Sequence, residues 1–94
     1  MVNRELIRTS AFMRALRRHL KKHPDASADV EAVLRTLAED AFHPRLKAHK
    51  LKSDLDGVWA CSAGYDLRIL FEFVQGDEGE GILLLTIGTH DEVY

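Results

Sequence analysis

The sequence predicts an α+β domain in which two N-terminal antiparallel helices pack on one face of a small, twisted, mainly antiparallel sheet, in the order β-α-α-β-β-β. Three observations carry that expectation. Leu67, Ile69, Phe71 and Phe73 alternate with Asp66, Arg68, Leu70 and Glu72, the period of two expected for a strand with one face in a core. Ile82–Ile87 is an apolar run, β-branched at both ends, which suits an interior strand. The N-terminal half instead repeats its apolar residues at helical spacing.

Taken in order, Glu5–Arg8 reads as a brief strand, and Thr9 or Ser10 is placed to cap a helix by accepting from a free backbone N–H. Phe12, Leu16 and Leu20, supported by Met13, form the buried stripe of that helix. Arg14, Arg17, Arg18, Lys21 and Lys22 cover the remaining surface, either as a solvated face or as a patch for a polyanion. Pro24 ends the helix, because proline disfavours helical geometry at His23 before it. Asp25 or Ser27 is the expected cap of the second helix, whose apolar face is Val30, Val33, Leu34, Leu37 and Ala41. Beyond Pro44, Val58–Ala63 is the first strand of a meander, Gln75–Gly81 the hairpin loop between the next two, and His90 lies just past the last strand.

With 94 residues, the chain is expected to form one domain with a modest core. Apolar residues make up 46% and the chain has only two prolines, a composition that excludes a disordered protein. Cys61 stands alone, so no internal disulfide is expected, which fits a reducing compartment. No stretch has the length and apolarity of a membrane span or a signal peptide, and a cytoplasmic location is expected. The net charge of −2 conceals an asymmetry. Residues 1–52 carry twelve Lys/Arg against six Asp/Glu, whereas residues 53–94 carry Arg68 alone against nine. Such a division suits either a basic surface for a polyanion or mutual neutralisation within the fold.

Nucleotide-binding glycine motifs, a P-loop and CxxC pairs are absent from the sequence. The five histidines, His19, His23, His43, His49 and His90, are read as having no metal-ligand spacing, so neither a metal nor another cofactor is expected. Ser62 has no Ser-His-Asp context. A polar set does emerge on the strands. If the turn after Ser62 holds three residues, Ser62 pairs with Asp66 and Ala60 with Arg68, on the face opposite Trp59, Ile69 and Phe71, with Thr86 and His90 joining from the next strand.

At these residues the chain resembles a known family. HKLKSDLDGVWACSAGYDLRILFEF followed by LLLTIGTHDEVY, together with the leading RTSAFMRAL, is similar to the RelE/ParE superfamily of type II toxin–antitoxin toxins, in particular the YafQ-like and RelE/StbE-type mRNA interferases. The resemblance implies cleavage of mRNA, usually on the ribosome, without metal, and neutralisation by a cognate antitoxin. In that chemistry the RNA 2′-hydroxyl attacks the adjacent phosphate. The step needs a base, an acid and a cation near the charged phosphorane. The resemblance implies His90 as general acid, with His49 and Asp66 completing the catalytic set. Arg68, Lys50, Lys52 and Tyr94 are implied as RNA- or phosphate-binding residues. Ser62 and Ala60 stand where YafQ-like relatives carry a histidine and an acid. The alternative is a ParE-like or degenerate toxin that binds a protein, gyrase or its antitoxin alone.

Overall fold

The structure is a computed structural model that describes residues 3–51 and 57–94. Its elements run β1 (Glu5–Arg8), α1 (Ser10–Lys22), α2 (Ala26–Glu39), a 3-10 turn (Pro44–Leu46), β2 (His49–Lys50), β3 (Trp59–Ser62), β4 (Leu67–Gly76), β5 (Gly79–Thr89) and α3 (His90–Val93). The expected α+β architecture is present. The five strands lie in the order β1-β5-β4-β3-β2, all neighbours antiparallel except β1 and β5. The short β2 and the C-terminal α3 are additions to the expected order.

Thr9 begins α1 and also fastens it to the sheet. Its hydroxyl accepts from the Phe12 N–H at 3.0 Å and donates to the Leu84 carbonyl at 2.7 Å, so one side chain serves both elements. The cap expected for α2 differs. Asp25 precedes the helix without a side-chain cap bond. The amides of Ala26 and Ser27 donate instead to the carbonyls of His23 and Pro24, at 3.0 and 3.2 Å. The tight connector satisfies those donors with backbone, which makes a capping side chain unnecessary.

The two helices cover one face of the sheet. Phe12, Val30, Leu34 and Leu37 meet Cys61, Leu67, Ile69, Phe71, Ile82, Leu84 and Ile87 in one buried cluster, closed by Ala41, Leu46 and Ala63. On β3 and β4 the buried strand residues come from alternate positions, as the periodicity selects, whereas on β5 the extra residue Leu85 carries the buried face from Leu84 to Ile87. Among the described residues no helix is long and apolar enough to cross a membrane.

Two boundaries differ from expectation, each for a local reason. The acidic glycine segment is mostly strand. Pairing continues to Gly76 opposite Gly79, leaving Asp77 and Glu78 as a two-residue turn, with φ of 121° at Gly79. The turn after β3 does hold three residues, but one position later than expected. The Ala63 N–H bonds to the Leu67 carbonyl at 2.8 Å across Gly64, Tyr65 and Asp66. Ser62 therefore pairs with Arg68 and Ala60 with Leu70, rather than with Asp66 and Arg68. The shift is two residues, so each side chain keeps its expected face.

Candidate functional site

The sheet face away from α1 and α2 carries the polar set. Across it run His49, Ala60, Leu70 and Thr86, paired strand to strand, and beside that row lie Ser62, Arg68 and Gly88. A bulge between Leu70 and Phe71 on β4 adds one residue, Leu85, to β5.

Past Thr89 the chain stops being strand and turns into α3. The cause is a reciprocal capping pair. The Thr89 hydroxyl accepts from the Glu92 N–H at 3.3 Å, and the Glu92 carboxylate accepts from the Thr89 N–H at 2.8 Å. The bond from the Thr89 N–H, more than any other partner, holds the Glu92 carboxyl below its usual range. The short helix packs back against Gly88, where an added Cβ would lie 2.9 Å from the Glu92 carboxylate and 3.2 Å from Val93. Gly88 pairs with Arg68, so α3 packs beside that pair on β5 and β4.

His90, the first residue of α3, is 57% exposed at its side chain. Its Nδ1 lies 3.6 Å from the Asp91 carboxylate, and its ring meets that of Tyr94 edge to face at 4.5 Å between centroids. Burial raises the Tyr94 phenol above its usual range, while the nearby Arg68 charge pulls it back. Arg68 is half-buried and spends one N–H on the carbonyl of Leu67 at 3.1 Å. His90, Tyr94 and Arg68 are thus brought together.

The other expected residues are distributed more widely. His49 shares the open face but sits on β2, two strands across and two residues along from Arg68, or about 12 Å at the backbone. Its Nδ1 lies 3.0 Å from the Lys47 carbonyl. A carbonyl only accepts, so Nδ1 carries hydrogen, and in the neutral ring Nε2 is left with a free lone pair. Asp66 remains in the exposed turn, with φ of 56°, and among the described residues no ion pair or side-chain hydrogen bond ties it to the cluster. Lys50 pairs with Trp59 and lies over its ring at 5.7 Å, on the opposite face from His49. Lys52 lies outside the described residues. Ser62, opposite Arg68, directs its hydroxyl to the Gly64 carbonyl at 3.4 Å. Cys61 is no nucleophile: it faces the core, and burial pushes its thiol up to about 12.

A hollow of about 430 Å³ adjoins α3, between it and α1. Arg18, His19, Lys22 and His23 line it from α1, facing Thr86, Thr89 and Glu92. The expectation that no histidines share a metal-ligand spacing passed over this place. His19 and His23 are four residues apart on one helix, and their rings lie 4.8 Å apart. The spacing alone could have revealed it.

No family model and no curated protein sequence matches the chain. Solved structures do. YafQ from E. coli strain BL21(DE3) superposes with a TM-score of 0.79 at 15% identity, over 97% of this chain and 98% of that one. A chain of the E. coli DinJ–YafQ complex gives 0.77 at 16% identity, with 97% and 98% covered. A copper-bound mutant toxin from Helicobacter pylori gives 0.76 at 23%, with 96% and 98% covered. A YoeB/ParE toxin from Agrobacterium tumefaciens gives 0.75 at 14%, with 92% and 98% covered. The chain has the fold of the YafQ and YoeB/ParE toxins over nearly its whole length.

Proposed function

We propose that this protein is the toxin of a type II toxin–antitoxin pair, an endoribonuclease that cleaves mRNA in the cytoplasm, on the ribosome, and is held in check by a cognate antitoxin. The observation that carries the reading is the convergence of His90, Tyr94 and Arg68 where α3 folds back onto the open face. The fold match to YafQ, a toxin also solved in complex with DinJ, supports the antitoxin as partner.

In this reading a phosphate lies against Arg68, whose fixed positive charge stabilises the crowded, doubly charged phosphorane. His49 accepts the 2′-hydroxyl proton at Nε2 as the oxygen attacks phosphorus. His90, with the Asp91 carboxylate beside its Nδ1, gives a proton to the departing 5′-oxygen. The products are a 2′,3′-cyclic phosphate and a 5′-hydroxyl. Tyr94, with its phenol kept protonated, offers a ring face to a base. The residues needed are a base, an acid and a cation, so no metal enters the scheme. Asp66 acts at a distance in this scheme, through the field of the turn, and Lys50 and Lys52 serve the flanking RNA.

The test is cleavage of programmed ribosomes and of free RNA by purified protein, with the product ends identified. Loss of cleavage and of growth arrest in a folded His90→Ala variant supports the scheme. Undiminished cleavage in that variant removes His90 from it. One observation favours a second reading, in which the protein binds gyrase or its antitoxin without cutting RNA. Ser62 turns its hydroxyl toward the Gly64 carbonyl, and Asp66 stays in the turn, so the open face offers few proton-transfer groups beside Arg68. Growth arrest that persists without RNA ends would establish that reading.

A further inference from the structure

We propose that His19 and His23 chelate one late first-row divalent ion, such as Cu²⁺, Ni²⁺ or Zn²⁺, at the C-terminal end of α1. The two ligands stand on α1, outside the residues of the nuclease scheme, and the proposal does not depend on the nuclease reading. The two imidazoles stand at i and i+4 with the last helical turn intact between them. The His23 N–H donates to the His19 carbonyl at 2.9 Å. The separation of the rings is what chelation requires. With a metal–nitrogen bond of about 2.0 Å and a ring radius of about 1.1 Å, each ring centre lies about 3 Å from the ion. Two such rings in cis positions, at about 90–110°, have centroids roughly 4.5–5 Å apart. The observed separation is 4.8 Å, with the planes tilted by 35°.

The surroundings favour the ligand form. His19 is pushed below its usual range by burial first and by His23 second, with Glu92 pulling the other way. His23 is exposed and leaves the remaining coordination positions to water. Arg18 and Lys22 line the same hollow and oppose a dication, and the Glu92 carboxylate offsets part of that charge. Among the described residues no third His, Cys, Asp or Glu completes a preformed cluster, so the site is a two-point clamp. Two imidazoles with open water positions suit copper, nickel and zinc, and disfavour calcium and magnesium, which take oxygen ligands.

The test uses the purified chain, stripped of metal by a chelator. Zn²⁺ is titrated by calorimetry, and Cu²⁺ is followed by electron paramagnetic resonance. We expect one equivalent per chain, a copper spectrum with two nitrogen ligands, and a melting temperature that rises with ZnCl₂. In His19→Gln and, separately, in His23→Gln the affinity falls at least tenfold and the rise in melting temperature disappears. His43→Gln, a change outside the hollow, leaves both unaltered. His23 lies exposed at the helix end, so its replacement leaves the core intact, and circular dichroism of each variant verifies this. Binding that survives both single changes overturns the proposal, as does binding that weakens equally in His43→Gln.

Discussion

Gly88→Ala separates the placement of α3 from the stability of the fold. The backbone at Gly88 has no left-handed φ, so alanine costs nothing in conformation there. The cost is steric. The new methyl would meet the Glu92 Oε1 at 2.9 Å, the Glu92 Cβ at 3.2 Å and the Val93 Cγ1 at 3.2 Å. Forcing a methyl into fixed surroundings costs about 1–3 kcal/mol. The protein has a cheaper route. Glu92 can release the Thr89 N–H and α3 can lift away, at the cost of a capping pair worth about 1 kcal/mol. The helix has four residues, none buried, so lifting it leaves the core closed. The expected loss of stability is therefore about 1 kcal/mol, or roughly 4–8 °C in melting temperature for a chain of this size. Cleavage should fall much further, on the order of ten- to a hundredfold, because displacing a catalytic group by fractions of an ångström destroys its alignment. Thermal melts and single-turnover cleavage of programmed ribosomes are measured on the same preparation. Cleavage at the wild-type rate alongside a lowered melting temperature would refute the argument that α3 must hold His90 against the sheet. A melting temperature lowered by several times the expected amount would show that α3 supports the core.

Thr9→Val should cost about 1–2 kcal/mol in urea denaturation, since it removes both the cap of α1 and its bond to Leu84; a change within error would mean the hydroxyl is readily replaced by water. Cys61 should resist iodoacetamide in the folded protein at pH 8 and react only as fast as the chain opens. Its raised thiol pKa also makes stability fall as pH climbs from the unfolded value of 9.0 toward 12, because only the unfolded chain then ionises freely, and alkaline urea titrations of wild type against Cys61→Ala would expose this difference. Ser62→His places an imidazole opposite Arg68, and a modest acceleration of cleavage, up to about tenfold, is expected; a folded variant that cleaves no faster would mean the proton transfers run elsewhere.

Much of this architecture was legible in the residues. The alternation from Leu67 to Phe73 and the helical stripes of Phe12 and of Val30 to Leu37 each state a period, and a period fixes which side is buried. That is why the three-residue turn could be placed one position too early without moving any side chain to the wrong face. Less could be read where polar backbone groups have several possible partners. Asp25 and Ser27 both looked like caps, yet the amides of α2 are met by the His23 and Pro24 carbonyls of a connector whose path the sequence does not state.

The candidate site divides along the same line. Sequence by itself determined that His90 follows the last strand and that Arg68 lies on the polar face of its strand, because both follow from local pattern. Only the tertiary structure decided that Tyr94 comes near Arg68 and that Lys50 lies over the Trp59 ring. It also decided that the hollow beside α3 is walled by Arg18, His19, Lys22 and His23 of α1. The physical reason is distance along the chain. Helix caps and periodicity act over a few residues, whereas these contacts join residues up to about seventy positions apart, through packing of a helix against the edge of a sheet.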